Sequence, residues 1–489
     1  MSEPTSDLLI DGRQVAGQGE PIEVENPATE QVAATVASAS PEQVDQAVAV
    51  ANRAFDEWSR MPAIERAPLL RQVADALREQ TETLALLMTT EIGRPLTESR
   101  DEVEWCASCL EFYAEVARSE IGRVIPPIES SQFAVVVKEP HGVVGCIVPW
   151  NYPLLLLFWK LAPALATGNT VVAKPSELTP LSTLALAPVF DCLPDGVVNL
   201  VAGDGAVGAR IAEHEGVECV AFTGSVETGK KVGVACAARN ARANLEMGGK
   251  DAFIVCSDMA DEAIEVAARG GAWAAFLNAG QVCTSSERFF VVEDVYDAYV
   301  EAFVEHTKSL VVGDPLDEKT DVGPMVSAGQ RAKAAGQVEE AVAAGAKILA
   351  GGDAGGRETG HYLEPTVVVE APGDSALLTE ETFGPVAPIV PVPSLDEAIA
   401  RANSLRYGLG AIIYTRDLAN AVKCLKEVRA GSVWINDPLT DNDAGPFGGF
   451  KNSGIGRELG AEGLDAFREA KHVHIETEIE VKDWWFPYG

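Results

Sequence analysis

The chain predicts an α/β fold built as two lobes, and three observations carry that expectation. Its 489 residues exceed one ordinary domain of about 100–200 residues. Short apolar runs at 144–148, 170–174, 197–201 and 219–222 are separated mostly by helix-sized spacers, the alternation of a parallel sheet with crossover helices. The same texture returns at 253–256, 289–292 and 411–414, so a second sheet is expected, with no sequence repeat or low-complexity segment between the lobes.

The elements follow in chain order. Ser40 is an N-cap with Pro41 at the first helical position and Gln43 at the third, which opens a helix over 44–58. A second helical stretch covers 64–91, and 101–119 also reads as helix. Two segments fit neither lobe. Residues 131–138 are β-rich, and Val473, Ile475, Ile479 and Val481 alternate with polar residues in a period of two, which predicts a strand with one apolar face. Such a strand pairs either across subunits or as an edge within the chain.

Composition excludes several functions. With 47% hydrophobic and 23% charged residues the chain is globular, and 38 basic against 73 acidic residues leave a net charge of −35. Nucleic acid and anionic membrane are repelled by such a field. The acidity suits high salt and serves plain solubility equally. Met1 to Gly12 carry Glu3, Asp7 and Asp11 and no basic run, so no secretory signal is read and a cytoplasmic location is expected. Nine cysteines, scattered from Cys106 to Cys424, read as reduced thiols rather than a disulfide framework. No metal is expected: Cys106 and Cys109 lie in a helical stretch without a second pair, and His472 and His474 lack a third ligand.

Chemistry is carried by motifs. Cys283 lies in Asn278-Ala279-Gly280-Gln281-Val282-Cys283-Thr284, a glycine-containing loop before a strand, where a thiol can be activated. Gly224-Ser225-Val226-Glu227-Thr228-Gly229 closes a strand and opens a helix whose N-terminus suits a phosphate, though the spacing departs from the usual dinucleotide pattern. These motifs occur in order with Pro149-Trp150-Asn151-Tyr152-Pro153, Trp159-Lys160, Lys174-Pro175-Ser176-Glu177, Leu245-Glu246-Met247-Gly248-Gly249-Lys250 and Glu381-Thr382-Phe383-Gly384-Pro385. Together they resemble the NAD(P)-dependent aldehyde dehydrogenase superfamily over nearly the whole chain, and the 151–160 segment resembles its betaine aldehyde and aminoaldehyde branch.

The resemblance implies a Rossmann-type cofactor domain (1–122 and 142–252), an α/β catalytic domain (253–451) and a small β oligomerisation hairpin (123–141 and 467–489). It implies Cys283 as nucleophile, Asn151 as oxyanion donor and Glu246 as general base. NAD is the implied cofactor, with Lys174 and Glu177 on the adenosine ribose and Glu177 disfavouring NADP. Pro149 and Trp150 border the cofactor, Gly224, Ser225 and Gly229 form its phosphate turn, Glu381 holds the nicotinamide ribose and Phe383 packs nearby. Lys160 and Glu458 form either a proton relay or a salt bridge. The partner is a small-molecule aldehyde and the assembly a homodimer or homotetramer.

The substrate is read as a cationic aldehyde, because Tyr152, Trp159 and Phe447 offer ring faces to a quaternary ammonium. Leu277 stands where plant relatives carry a further tryptophan, and Trp105, with Glu102 one turn before it, is expected to supply a ring and a carboxylate instead. A broad aliphatic and aromatic aldehyde enzyme is the alternative. A CoA-acylating enzyme disagrees with the presence of Glu246, and a non-catalytic member with the intact set of Cys283, Glu246 and Asn151.

Overall fold

The computed structural model describes residues 6–119, 122–260 and 262–488; Glu3 lies outside them. The first sheet runs Gly454–Ile455, Arg242–Met247, Cys219–Gly224, Val143–Ile147, Thr170–Lys174, Val198–Leu200, Leu8–Ile10, Arg13–Val15. Its five central strands are parallel. Starting at Val143–Ile147, the chain builds two strands outward on one side, then returns to build Cys219–Gly224 and Arg242–Met247 on the other. This reversal creates a crevice at the strands' carboxyl ends, where open α/β sheets bind ligands.

The second sheet runs Lys347–Ala350, Thr366–Val369, Val386–Val392, Ser286–Val292, Asp251–Val255, Gly410–Tyr414, Ser432–Ile435. All but its first pair are parallel. The apolar runs read from sequence are buried along their length, because helices cover such sheets: Thr170–Lys174 and Asp251–Val255 expose no residue. Helix Leu155–Thr167 packs on Val143–Ile147 and Thr170–Lys174. Among the described residues no helix is long and apolar enough to cross a membrane.

The expected cap forms. Ser40 Oγ accepts from Gln43 N, and Gln43 Oε1 accepts from Ser40 N, at the start of Pro41–Trp58. The 64–91 stretch is instead two helices, Ala63–Glu79 and Thr81–Ile92. Gln80 leaves helical geometry at φ −98°, ψ 5° between them, without the glycine or proline that would announce a break. Four short N-terminal strands escaped a reading dominated by helix signals. Of these, Leu8–Ile10 joins the first sheet beside Val198–Leu200, and Pro21–Asn26 pairs with Gln31–Ala37.

The terminal alternation also differs from expectation. The strand is Arg468–Glu476, antiparallel to Gln132–Pro140, which pairs in turn with Gly122–Ile125. It stops where its partner runs out: Thr477 N–H reaches Ser131 O at 2.9 Å. Beyond it Lys482 turns back onto Glu476 at 3.2 Å and Glu129 at 3.3 Å. Ile479 and Val481 therefore lie past the strand, fully or largely exposed.

Candidate active site

Cys283 sits at the end of a tightly held loop. Asn278, Ala279 and Gly280 are successive left-handed residues, with φ of 49°, 54° and 71°, a conformation costing about 1–3 kcal/mol at each non-glycine position. Hydrogen bonds hold it there. Asn278 N–H donates to Glu98 Oε2 at 3.1 Å, Gln281 Nε2 donates to Asn278 O at 3.0 Å, and Gln281 Oε1 accepts from Val326 N at 2.9 Å. A Cβ at Gly280 would lie 2.2 Å from Gly384 O, so the loop needs glycine. The Cys283 thiol is half-buried. Burial pushes its pKa well up, aided by the charges of Asp441, Asp251 and Glu246.

Asn151 is fastened to the same loop. Its Nδ2 donates to Gln281 O at 2.9 Å, and its own carbonyl accepts from Asn278 Nδ2 at 3.1 Å and Arg94 Nη1 at 3.3 Å. Glu246 is the penultimate residue of the strand Arg242–Met247 and is buried. Its Oε2 accepts from Gly449 N at 3.3 Å, while Oε1 has no hydrogen-bond partner among the described residues. Burial, then the nearby Glu458 carboxylate, raises the Glu246 carboxyl well above the ordinary range.

Lys160 and Glu458 form a fully buried ion pair at 2.5 Å. The ammonium also donates to Leu156 O at 3.0 Å and Thr223 Oγ1 at 2.6 Å, so Lys160 braces helix Leu155–Thr167 against strand Cys219–Gly224.

The crevice at the first sheet's reversal brings together the residues read as cofactor contacts. Pro149 and Trp150 follow Val143–Ile147; Lys174 ends its strand, and Glu177 stands three residues on with Lys174 Nζ at 3.5 Å from Oε2. Gly224 ends Cys219–Gly224, and Ser225 caps helix Val226–Ala238 by accepting from Thr228 N. The two glycines answer to packing: a Cβ at Gly224 would sit 2.6 Å from the Phe222 ring and one at Gly229 2.4 Å from Met247 Sδ. From the other lobe, the Phe383 ring meets Trp150 edge-on at 5.3 Å and 87°. Glu381 Oε1 accepts from Gly249 N at 3.1 Å, and burial lifts the Glu381 carboxyl to about 7.

Cys283 opens onto a cavity of 490 Å³, whose walls include Trp105, Tyr152, Trp159, Leu277 and Phe447. Tyr152 precedes helix Leu155–Thr167 and Trp159 lies within it, and both reach the cavity. Trp159 and Phe447 pack at 4.8 Å. The Arg94 guanidinium covers one face of Tyr152 at 4.6 Å, so that face is already taken.

Glu102 is a correction: it does not line the cavity. Its side chain is fully buried against Arg94, and its Oε1 accepts from Leu154 N and Leu155 N at 2.9 and 2.8 Å. Leu154 has no side-chain oxygen to cap its helix, so Glu102 satisfies those orphan donors from a neighbouring helix.

The cavity also holds residues that the sequence reading missed: Trp273, Ser108 and the acids Asp437, Asp441 and Asp443. Asp441 is exposed at the cavity's edge, and desolvation of its carboxyl against the wall, then Asp443, raises it to about 7. Asp443 Oδ2 accepts from Ser108 Oγ at 2.7 Å. The available signal was three acids within seven residues just after the strand Ser432–Ile435.

Comparison with known proteins gives the family. The profile of the aldehyde dehydrogenase family matches residues 14–473. The chain is 43% identical to the mitochondrial aldehyde dehydrogenase of Mesocricetus auratus over 461 residues, covering 92% of this chain and 91% of that protein. It is 38% identical to the betaine aldehyde dehydrogenase of Bacillus subtilis over 488 residues, covering 98% and 99%. A crystal structure of betaine aldehyde dehydrogenase from Staphylococcus aureus in complex with NAD+ superposes with a TM-score of 0.95 at 34% identity, covering 99% of this chain and 97% of that one. The chain belongs to the aldehyde dehydrogenase family.

Proposed function

We propose that this NAD-dependent aldehyde dehydrogenase oxidises a small cationic aldehyde to its carboxylate. The observation that carries the substrate class is the cavity at Cys283, where the rings of Trp105, Trp159, Trp273 and Phe447 stand with Asp441 and Asp443. Ring faces attract a cation by about 0.5–2 kcal/mol each, and carboxylates add charge complementarity. In this mechanism the Cys283 thiolate adds to the aldehyde carbon and gives a thiohemiacetal. The developing oxyanion accepts from Asn151 Nδ2 and from the Cys283 N–H. Bound NAD+ supplies the hydride acceptor, which leaves a thioester on Cys283. Glu246 then takes a proton from water, the resulting hydroxide attacks the thioester, and carboxylate and thiolate are released.

The expected result is a higher kcat/KM for betaine aldehyde and aminoaldehydes than for neutral aldehydes of similar size. Asp441→Asn should lower the cationic values roughly tenfold and spare the neutral ones. Neutral substrates favoured, or cationic ones untouched by Trp159→Ala, would sink the assignment. A broad aliphatic and aromatic specificity is the second reading, favoured by Leu155, Leu156, Leu277 and Leu459 in the same wall.

For the cofactor, we take 1–122 and 142–252 as the NAD-binding domain and 253–451 as the catalytic domain. Glu177, half-exposed and touched by Lys174 at 3.5 Å, keeps acceptor oxygens for a ribose hydroxyl and would meet a 2′-phosphate with like charge. NAD+ should be preferred to NADP+ by an order of tenfold or more in kcat/KM, and Glu177→Ala should narrow the gap. Equal values in the parent enzyme would overturn the role of Glu177.

Subunits associate, in this reading, through the small sheet of Gln132–Pro140 and Arg468–Glu476, which keeps open edges, and through the exposed Trp484, Trp485 and Phe486 beyond it. A chain ending before Lys471 should lose oligomeric mass by light scattering. An unchanged mass would assign the segment to intramolecular pairing alone.

A further inference from the structure

Strand Ser286–Val292 carries near its start a buried carboxylate that the mechanism above does not use. Glu287 is 2% exposed. Its Oε1 accepts from Phe383 N at 2.7 Å, and its Oε2 accepts from Thr382 N at 2.7 Å and from Lys250 Nζ at 2.7 Å. Lys250, whose side chain is fully buried, also donates to Thr382 Oγ1 at 2.9 Å, and that hydroxyl donates onward to Gln337 Oε1 at 2.7 Å.

The geometry is specific to a carboxylate. Two successive backbone N–H groups point the same way only when the turn is bent, and Phe383 is left-handed at φ 55°, a conformation a phenylalanine does not hold unaided. Two acceptor oxygens on one planar group meet both donors. A glutamine there would turn an NH2 toward one of them and leave Lys250 without its counter-charge. The turn so bent carries Glu381 on one side, bonded to Gly249 N, and the Phe383 ring against Trp150 on the other.

We propose that Glu287, with Lys250 as its counter-ion, is a positioning residue for the nicotinamide end of the cofactor site, setting the backbone at Thr382 and Phe383 and hence the stations of Glu381 and the Phe383 ring. The inference rests on the reading that Glu381 holds the nicotinamide ribose.

Calorimetric titration of the full-length enzyme with NAD+, nicotinamide mononucleotide and AMP separates the two ends of the site. Glu287→Gln should bind NAD+ and nicotinamide mononucleotide at least about tenfold more weakly, the scale of a hydrogen bond to a charged acceptor, and AMP within about twofold of the parent. Glu287→Asp, which keeps the charge, should recover part of the loss. Gln337→Ala, on the half-buried face of helix Ala328–Ala343, should show the same selectivity at smaller size, and it decides by the same criterion if Glu287→Gln does not fold. Unchanged affinity for nicotinamide mononucleotide, or an equal loss for AMP, overturns the proposal. Glu381→Ala serves as reference: if it weakens nicotinamide mononucleotide and Glu287→Gln does not, the positioning role alone fails. If neither does, the reading of Glu381 fails with it.

Discussion

Cys283→Ala is expected to lower aldehyde-dependent NADH formation by at least about 10⁴-fold while calorimetry still records NAD+ binding. The substitution removes one sulfur atom from a half-buried position. The loop's hold on its own shape runs through Asn278, Gln281, Glu98 and Val326, none of which bonds the thiol. The geometry around the missing nucleophile should therefore persist, and the loss would report chemistry rather than collapse. Parent-level turnover in the alanine variant would mean that no covalent thioester forms. A second consequence concerns pH. Burial and neighbouring carboxylates push the Cys283 thiol upward, so its nucleophilic thiolate becomes more abundant as pH rises.

Glu246→Gln should leave a burst of NADH close to one equivalent per site and slow the steady state that follows by about 10²–10³-fold, the usual share of a general base. The glutamine keeps the acceptor for Gly449 N but takes no proton from water. The sign of the pH effect follows from burial. A carboxyl raised above its ordinary range is protonated at pH values where a surface glutamate is ionised, and a base works only when deprotonated. Steady-state turnover of the parent should thus climb from neutral toward alkaline pH, with the burst rate climbing as well because of Cys283. Rapid-mixing absorbance at the NADH band, measured across pH, checks both. A glutamine variant without a burst would place Glu246 before hydride transfer, and a rate that falls toward alkaline pH would contradict both titrations.

Much of this was legible where local chemistry decides the structure. Ser40 and Gln43 cap their helix because both partners lie within one turn of chain, and 170–174 is a strand because Val171, Val172 and Ala173 have two buried faces to fill. Cys283, Asn151 and Glu246 are proposed from motif order, and the structure fastens Asn151 to the loop of Cys283. Distance in sequence defeated the rest. Glu102 lies three residues before Trp105, and helical spacing brought the two together as one feature. Its partners, Arg94 and the amides of Leu154 and Leu155, exist only once two helices have packed. The same holds for Glu287, whose donors at Thr382 and Phe383 arrive from about a hundred residues away, and for Asp441, which reads as ordinary surface in sequence and meets the thiol's cavity only through the course of its loop. The break at Gln80 is the smallest case: its residues favour helix on both sides, and the Thr81 hydroxyl donates to Arg78 O at 2.8 Å across it.

The proposed nucleophile and the proposed base belong to different sheets. Glu246 stands next to the end of a strand of the first sheet, Cys283 precedes a strand of the second, and between Met247 and Asp251 the chain passes from one to the other through Gly248, Gly249 and Lys250. At Gly248 a Cβ would stand 2.3 Å from a Glu381 oxygen, so the joint has no spare room. In the proposed mechanism, acylation and deacylation together measure alignment: they need the two sheets to agree on a common origin, within about an ångström. Mild denaturant or pressure that slips one half against the other would silence the enzyme while each sheet, its strands still paired and its helices still docked, continued to give the circular dichroism of a native protein.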